Sequence, residues 1–197
     1  GSVGRLVYRG YAIEDLAREA TFEETLYLLW YGELPDREAL EDFSATLAGE
    51  RAIPSGVAET AGELAAVDAE PMAALRTLVS MLSAYEHERD ADPDDTDAAL
   101  RKGRRVTAKL PTALAAFDRA RRGENVVAPR ESLGHAANFL YMLTGEEPDE
   151  TAVETFDTAL TLHADHGLNA STFTTLVIAS TYADMYNAVT GGIPALS

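Results

Sequence analysis

Thr21-Phe22-Glu23-Glu24-Thr25-Leu26-Tyr27-Leu28-Leu29-Trp30-Tyr31-Gly32-Glu33-Leu34-Pro35 carries a helix with both of its ends written in. Thr21 followed by Glu24 at the third helical position is a capping-box arrangement, in which each side chain satisfies a backbone N–H left unpaired by the first turn. Phe22, Leu26 and Leu29 recur at i, i+4 and i+7 and line one face. The helix ends near Gly32, before Pro35, which cannot continue it.

The same grammar runs outward from this stretch. Asp36 can cap a next helix whose Leu40, Phe43 and Leu47 form one stripe before Gly49, and 55–67 reads as a weaker helix rich in Ala and Glu. Pro71 opens a helix with two apolar stripes, Met72, Leu75, Val79, Leu82 and Ala74, Leu78, Met81, Tyr85, so neighbours must cover most of its circumference. Residues 86–97 break the pattern with acidic side chains and Pro93 and are expected to form a solvated surface loop. Helical character resumes near Thr96, and Pro111 after Leu110 predicts a kink or a restart. Gly123 closes that region, and 125–129 is a loop. A helix over about 133–143 ends in Thr144-Gly145, and Asp149 can cap another in which Val153, Phe156, Leu160 and His163 share a face. A last helix is expected over about 171–190, its small residues Thr174, Ala179, Ser180 and Ala183 suiting a core or a subunit interface. No alternating strand of convincing length and no internal repeat occurs. The fold class is all-α.

Composition bounds the function. The 197 residues hold 33 Asp+Glu against 16 Lys+Arg, a net charge of −17, with no Cys and 46% hydrophobic residues. That apolar fraction excludes wholesale disorder, and the absence of Cys excludes disulfides, thiolate metal sites and thiol nucleophiles. No run approaches the ~18 apolar residues of a membrane span, and residues 1–10 are no signal peptide. We expect a soluble cytoplasmic protein that binds neither nucleic acid nor membrane. Only Lys102 and Lys109 are lysines. Acidity with so little Lys reads as adaptation to high salt, where self-repulsion is screened. The plainer alternative is an ordinary acidic protein.

Half of the positive residues lie between Arg101 and Arg122, and none follows Arg130. They could dock an anion, but they lack a glycine-rich cradle, and a solvated helix face paired with nearby carboxylates is the preferred reading.

Polar chemistry concentrates in one place between apolar helices, His163-Ala164-Asp165-His166-Gly167-Leu168-Asn169-Ala170-Ser171. His163 and His166 with Asp165 could begin a metal site, but no further ligands follow at suitable spacing, and His87 and His135 stand in unrelated contexts. A Ser–His–Asp triad through Ser171 lacks a nucleophile elbow, and paired acid/base carboxylates are unsupported. Two readings remain. One is a capped helix junction with locally satisfied histidines. The other is a substrate site, in which His and Asn donate to a carboxylate or carbonyl oxygen beside a helix N-terminus.

These residues resemble the citrate synthase family, together with its close relative 2-methylcitrate synthase. The likeness is carried by residues 163–174, HADHGLNASTFT, and by Asn138-Phe139-Leu140-Tyr141-Met142-Leu143. Leu6-Val7-Tyr8-Arg9-Gly10-Tyr11, Ile13-Glu14-Asp15-Leu16-Ala17, the stretch from Thr21 to Pro35, Leu75-Arg76-Thr77 and Lys109-Leu110-Pro111-Thr112 agree in the same order. The resemblance implies condensation of oxaloacetate with acetyl-CoA as cosubstrate, with no covalently bound cofactor and no metal. It implies His166 as an oxaloacetate ligand and Asn169 as a site-lining residue. The family commonly has Glu where this chain has Gly167, a departure expected to adjust the loop. None of the four histidines matches a catalytic one. The resemblance therefore implies that residues 1–197 correspond to about the N-terminal half of such an enzyme, a partial large helical domain without the small domain, inactive by itself. It also implies a homodimer built partly through helices like 133–143 and 171–190. The alternatives are a 2-methylcitrate synthase using propionyl-CoA and a non-catalytic helical dimerisation module.

Overall fold

A computed structural model describes residues 5–88, 90–92 and 94–196. Outside it lie the first residues of the stretch read as lacking a signal peptide, the proline of the acidic segment, Arg89 and Ser197. A short hairpin, β1 (Val7–Tyr8) and β2 (Tyr11–Ala12), precedes ten helices. They are α1 (Ile13–Glu19), α2 (Phe22–Tyr31), α3 (Arg37–Gly49), α4 (Ser55–Ala66), α5 (Pro71–Leu82), α6 (Thr96–Arg121), α7 (His135–Thr144), α8 (Glu150–His163), α9 (Ala170–Ala179) and α10 (Met185–Gly192). The all-α class holds, and no helix among the described residues is long and apolar enough to cross a membrane.

The helix ends form where the side chains dictate. Thr21 and Glu24 make the reciprocal capping box, and Gly32 closes α2 at φ +91°. Asp36 and Asp149 accept from Ala39 N and Ala152 N, and Gly145 closes α7 at φ +82°. Three apolar clusters follow. The largest joins Val57 and Ala61 of α4, Leu78 and Leu82 of α5, Val106, Ala113 and Phe117 of α6 and Tyr186 of α10. The second joins Phe22 and Leu26 to Phe43, Leu47 and Ala108. The third gathers Tyr8, Ile13, Leu16 and Leu28. Ala164, at the end of α8, packs against both the second and the third.

Four expectations are corrected. The helix α6 continues through Pro111 with no restart. Proline forfeits one ladder hydrogen bond, but this stretch is held from several sides, with Thr112, Ala113, Ala115 and Ala116 all buried. The expected last helix is two, α9 and α10, divided where Tyr182 takes φ +60°. No residue of α9 is buried, so that helix lies on the surface of the chain rather than in its core. A hairpin too short to announce itself by alternation opens the chain.

The fourth correction concerns charge. Glu86 is not solvated: its carboxylate is buried against Arg105, at 2.9 and 2.8 Å, and Arg105 also meets Glu88 at 2.6 Å. The basic segment is paired with carboxylates as expected, Arg101 with Glu88, Arg104 with Glu50, Lys102 with Asp184 and Arg121 with Asp68. Yet Lys102, Arg105 and Arg119 are buried rather than solvated. Their long apolar stems pack while each head finds a partner.

Candidate functional site

The segment between α8 and α9 presents its polar groups in an ordered way. His163 closes its own helix, its Nδ1 lying 2.7 Å from Ala159 O. Asp165 Oδ1 accepts from Gly167 N at 2.7 Å, Gly167 turns the chain at φ +63°, and Asn169 N donates to Gly167 O at 3.0 Å. Asn169 is then the N-cap of α9, its Oδ1 accepting from Thr172 N at 2.8 Å and Ser171 Oγ at 2.7 Å. Hence the loop is a capped junction, and its capping atom is the Asn169 carbonyl oxygen. The amide nitrogen of Asn169 takes no part in the cap.

His166 stands exposed between these fixed points, next to the exposed Leu168. Among the described residues its ring makes no hydrogen bond or ion pair within the chain. A Cβ at Gly167 would meet nothing within 4 Å, so a side chain there meets no clash at its first carbon. The Glu common in the family would have to adopt a left-handed conformation, which costs about 1 kcal/mol.

Cavities lie elsewhere. One, of about 550 Å³, sits between the start of α6 and the α9–α10 pair, with Lys102, Thr175 and Asp184 on its wall. An apolar groove of about 320 Å³ runs along Leu110, Leu114, Phe139, Phe156 and Leu160. Neither contains His166. The loop around His166 and Leu168 is therefore open to its surroundings.

The other histidines are placed for different reasons. His135 is buried against Phe22, with ring centroids 5.2 Å apart. Burial, reinforced by the Arg51 charge, depresses its pKa to about 4 and keeps it neutral. Its backbone N donates to Glu23 Oε1 at 2.7 Å, and Phe22 N donates to Asp157 Oδ2 at 2.9 Å, which knots α2, α7 and α8 together. Burial and the neighbouring Glu23 raise Asp157 to about 6. His87, Glu86 and Glu88 bring three potential metal ligands together, but Arg105 and Arg101 already occupy the carboxylates. Glu88, held by hydrogen bonds from Arg101 and Arg105, is lowered to about 2. The Ser171 hydroxyl bonds Asn169 rather than a histidine.

Sequence reasoning missed one participant. The Tyr8 hydroxyl reaches Leu162 O at 3.2 Å and Asp165 O at 3.0 Å and accepts from Asp165 N at 3.2 Å, across more than 150 residues of chain. The only local signal was Gly10 two residues after Tyr8, a hint of a tight turn.

A family profile described as "Citrate synthase, C-terminal domain" matches residues 1–197. Citrate synthase of Haloferax volcanii is 59% identical over the whole chain, which covers 52% of that protein. 2-Methylcitrate synthase of Mycobacterium tuberculosis is 42% identical over 97% of the chain and 47% of its own length. Citrate synthase from Pyrobaculum aerophilum superposes with a TM-score of 0.93 at 42% identity, over 98% of this chain and 49% of that one. The Thermoplasma acidophilum citrate synthase, solved as a ternary complex with carboxymethyl coenzyme A and oxaloacetate, gives a TM-score of 0.90 at 28% identity, over 98% of this chain and 50% of that one. The chain spans about half the length of these proteins.

Proposed function

Because the chain belongs to the citrate synthase family, we propose that the protein it represents is an acyltransferase condensing acetyl-CoA with oxaloacetate to citrate and free CoA. This is the entry step of the tricarboxylic acid cycle. The observation that carries the reading is the 163–169 loop: His166 stands exposed while every neighbouring polar group is fixed by a local bond. In this reading His166 binds oxaloacetate, and Asn169 lines the site through its amide nitrogen. The positive end of α9 favours the anionic substrate beside them.

No residue of this chain takes the methyl proton in this proposal; residues 1–197 are a partial large domain, and the catalytic His and Asp belong to the rest of the enzyme. The exposed Phe173, Leu176 and Val177 of α9 support burial against a second copy in a homodimer. The charge of −17 and the Haloferax relative support a salt-adapted cytoplasmic enzyme.

CoA release by the intact protein tests the reading. Release dependent on oxaloacetate is expected, with His166→Ala raising the KM for oxaloacetate; no release with any acyl-CoA would overturn it. The 197-residue chain alone is expected to be inactive. The 42% identity to a 2-methylcitrate synthase supports a second reading with propionyl-CoA, and the ratio of rates with the two thioesters decides between them. A helical dimerisation module is the third, and a stop codon after Ser197 would favour it.

A further inference from the structure

We propose that Tyr8 is a positioning residue for oxaloacetate binding, a phenol clamp that sets the backbone on which His166 is mounted. The inference rests on the reading of His166 as a substrate ligand. Tyr8 is 1% exposed, and its ring sits in the apolar cluster of Ile13, Leu16 and Leu28, against which Ala164 also packs. Its hydroxyl, at the far edge of that cluster, contacts the last turn of α8 through Leu162 O and the loop through both backbone groups of Asp165. One oxygen thus donates to carbonyls and accepts from an N–H on the residue immediately before His166.

The hairpin is built to deliver that oxygen. Tyr8 and Tyr11 face each other in β1 and β2, and the turn between them takes φ +48° at Arg9 and φ +98° at Gly10. Two successive positive φ values define the mirror-image turn that suits a two-residue hairpin. A non-glycine residue in that conformation carries strain, which is offset by surrounding contacts. Here Arg9 Nη2 donates to Leu29 O at 3.1 Å, fixing the turn against the end of α2. The hairpin is closed further by Ile13 N donating to Leu6 O. A turn pinned outside therefore holds a phenol pinned inside.

On the other side of His166 the chain is fixed from within, by Asp165 Oδ1 on Gly167 N and by the Asn169 cap. Among the described residues, the Tyr8 contacts are the hydrogen bonds that tie the loop to a distant element. Removing the hydroxyl leaves Asp165 N and O to seek water, which loosens the loop without altering any substrate-contacting side chain. Because the loop holds oxaloacetate in the ground state and through the reaction alike, such a loss falls on KM rather than kcat.

The test uses the intact enzyme with Tyr8→Phe, and Tyr11→Phe as the exposed control on the same hairpin. Amide exchange at Asp165 is expected to speed up about tenfold, the equivalent of one lost hydrogen bond. The KM for oxaloacetate should rise by about the same factor, with kcat and the KM for the acyl-CoA unchanged. If Tyr8→Phe does not fold, Gly10→Ala strains the turn while keeping the phenol and should move the same two readouts less far. Unchanged exchange at Asp165 overturns the clamp. Faster exchange with an unchanged KM for oxaloacetate overturns its positioning role. Absence of oxaloacetate turnover in the unsubstituted enzyme is failure of the functional reading itself; it is seen before any substitution, and it takes the positioning role with it while exchange still reports the clamp.

Discussion

Replacing Arg105 with Leu tests whether the acidic segment is held by its buried end. Arg105 is 6% exposed at its side chain and Glu86 1%, and three of its hydrogen bonds run to Glu86 and Glu88. Glu88 keeps Arg101 when Arg105 is lost, at 2.7 Å, so the stranded charge is that of Glu86. Breaking a buried pair from one side costs about 3–5 kcal/mol, because an uncompensated charge is left in the interior. Tyr186, the α10 member of the main core, is a second hydrogen-bond partner of Glu86 and keeps the loss from reaching the top of that range. We therefore expect about 3 kcal/mol for Arg105→Leu, and recovery of a large part of it when Glu86→Gln is added.

The assay is denaturant unfolding of both variants at fixed high salt. A pH series adds a sign. In the folded protein burial alone would raise Glu86, but the Arg105 hydrogen bonds, the Glu88 backbone N–H, the Arg105 charge and Tyr186 together outweigh it and hold the carboxyl below its ordinary range. Depressed carboxyls contribute stability above their unfolded pKa and lose it as the pH falls through the folded one. Glu88, at about 2, defines the same window. The deficit of Arg105→Leu should accordingly be full at neutral pH and, as the pH falls, begin to shrink above the ordinary carboxylate range, because burial raises an unpaired Glu86 and it takes up a proton there. A deficit under about 1 kcal/mol, as for an exposed pair, or a double variant no more stable than the single one, would refute this account.

Asp157 gives the opposite sign: its folded pKa of about 6 lies above the unfolded value, so its charge costs stability above that pH and the cost disappears as the pH falls. Asp157→Asn, which can still accept from Phe22 N, should stabilise the protein by about 1 kcal/mol at pH 7.5 after allowing for its half-exposed setting, with the gain fading towards pH 4 in a thermal unfolding series. Gly192→Ala would drive a methyl into the Thr175 hydroxyl and to 3.2 Å from Ser171 O, forcing α9 from α10. A loss of about 1–3 kcal/mol is expected by denaturant titration, and none would mean that the two helices separate freely. Lowering the salt should unfold the protein, followed by circular dichroism, if the charge of −17 is an adaptation; indifference to salt would count against it.

Much of the scaffold is legible in local chemistry. Thr21 with Glu24, Asp36, Asp149, Gly32 and Gly145 each act on backbone groups within four residues, so their roles follow from spacing alone. The loop that carries His166 and Asn169 is likewise visible as a cluster of polar residues between apolar helices, while the cap that Asn169 makes on α9 is found in the structure. What spacing misjudged were cases in which a distant neighbour decides. Pro111 stays inside α6 because surrounding helices hold its flanks, while α9 and α10 part at Tyr182 within an unbroken apolar pattern. Glu86 reads as one acid in a solvated run until Arg105, on another element, draws it inside.

The sequence by itself determined the ends of the helices with clear caps, the all-α class, the strong negative charge and the segment in which polar chemistry gathers. These depend on interactions spanning a turn or two of chain, which residue order specifies directly. Only the tertiary structure decided which charges are buried, that the amide oxygen of Asn169 is taken up by the cap of α9, and that Tyr8 reaches the loop before His166. Those outcomes depend on atoms brought together from opposite ends of the chain, and no local pattern records which hydroxyl will meet which carbonyl once the core has closed.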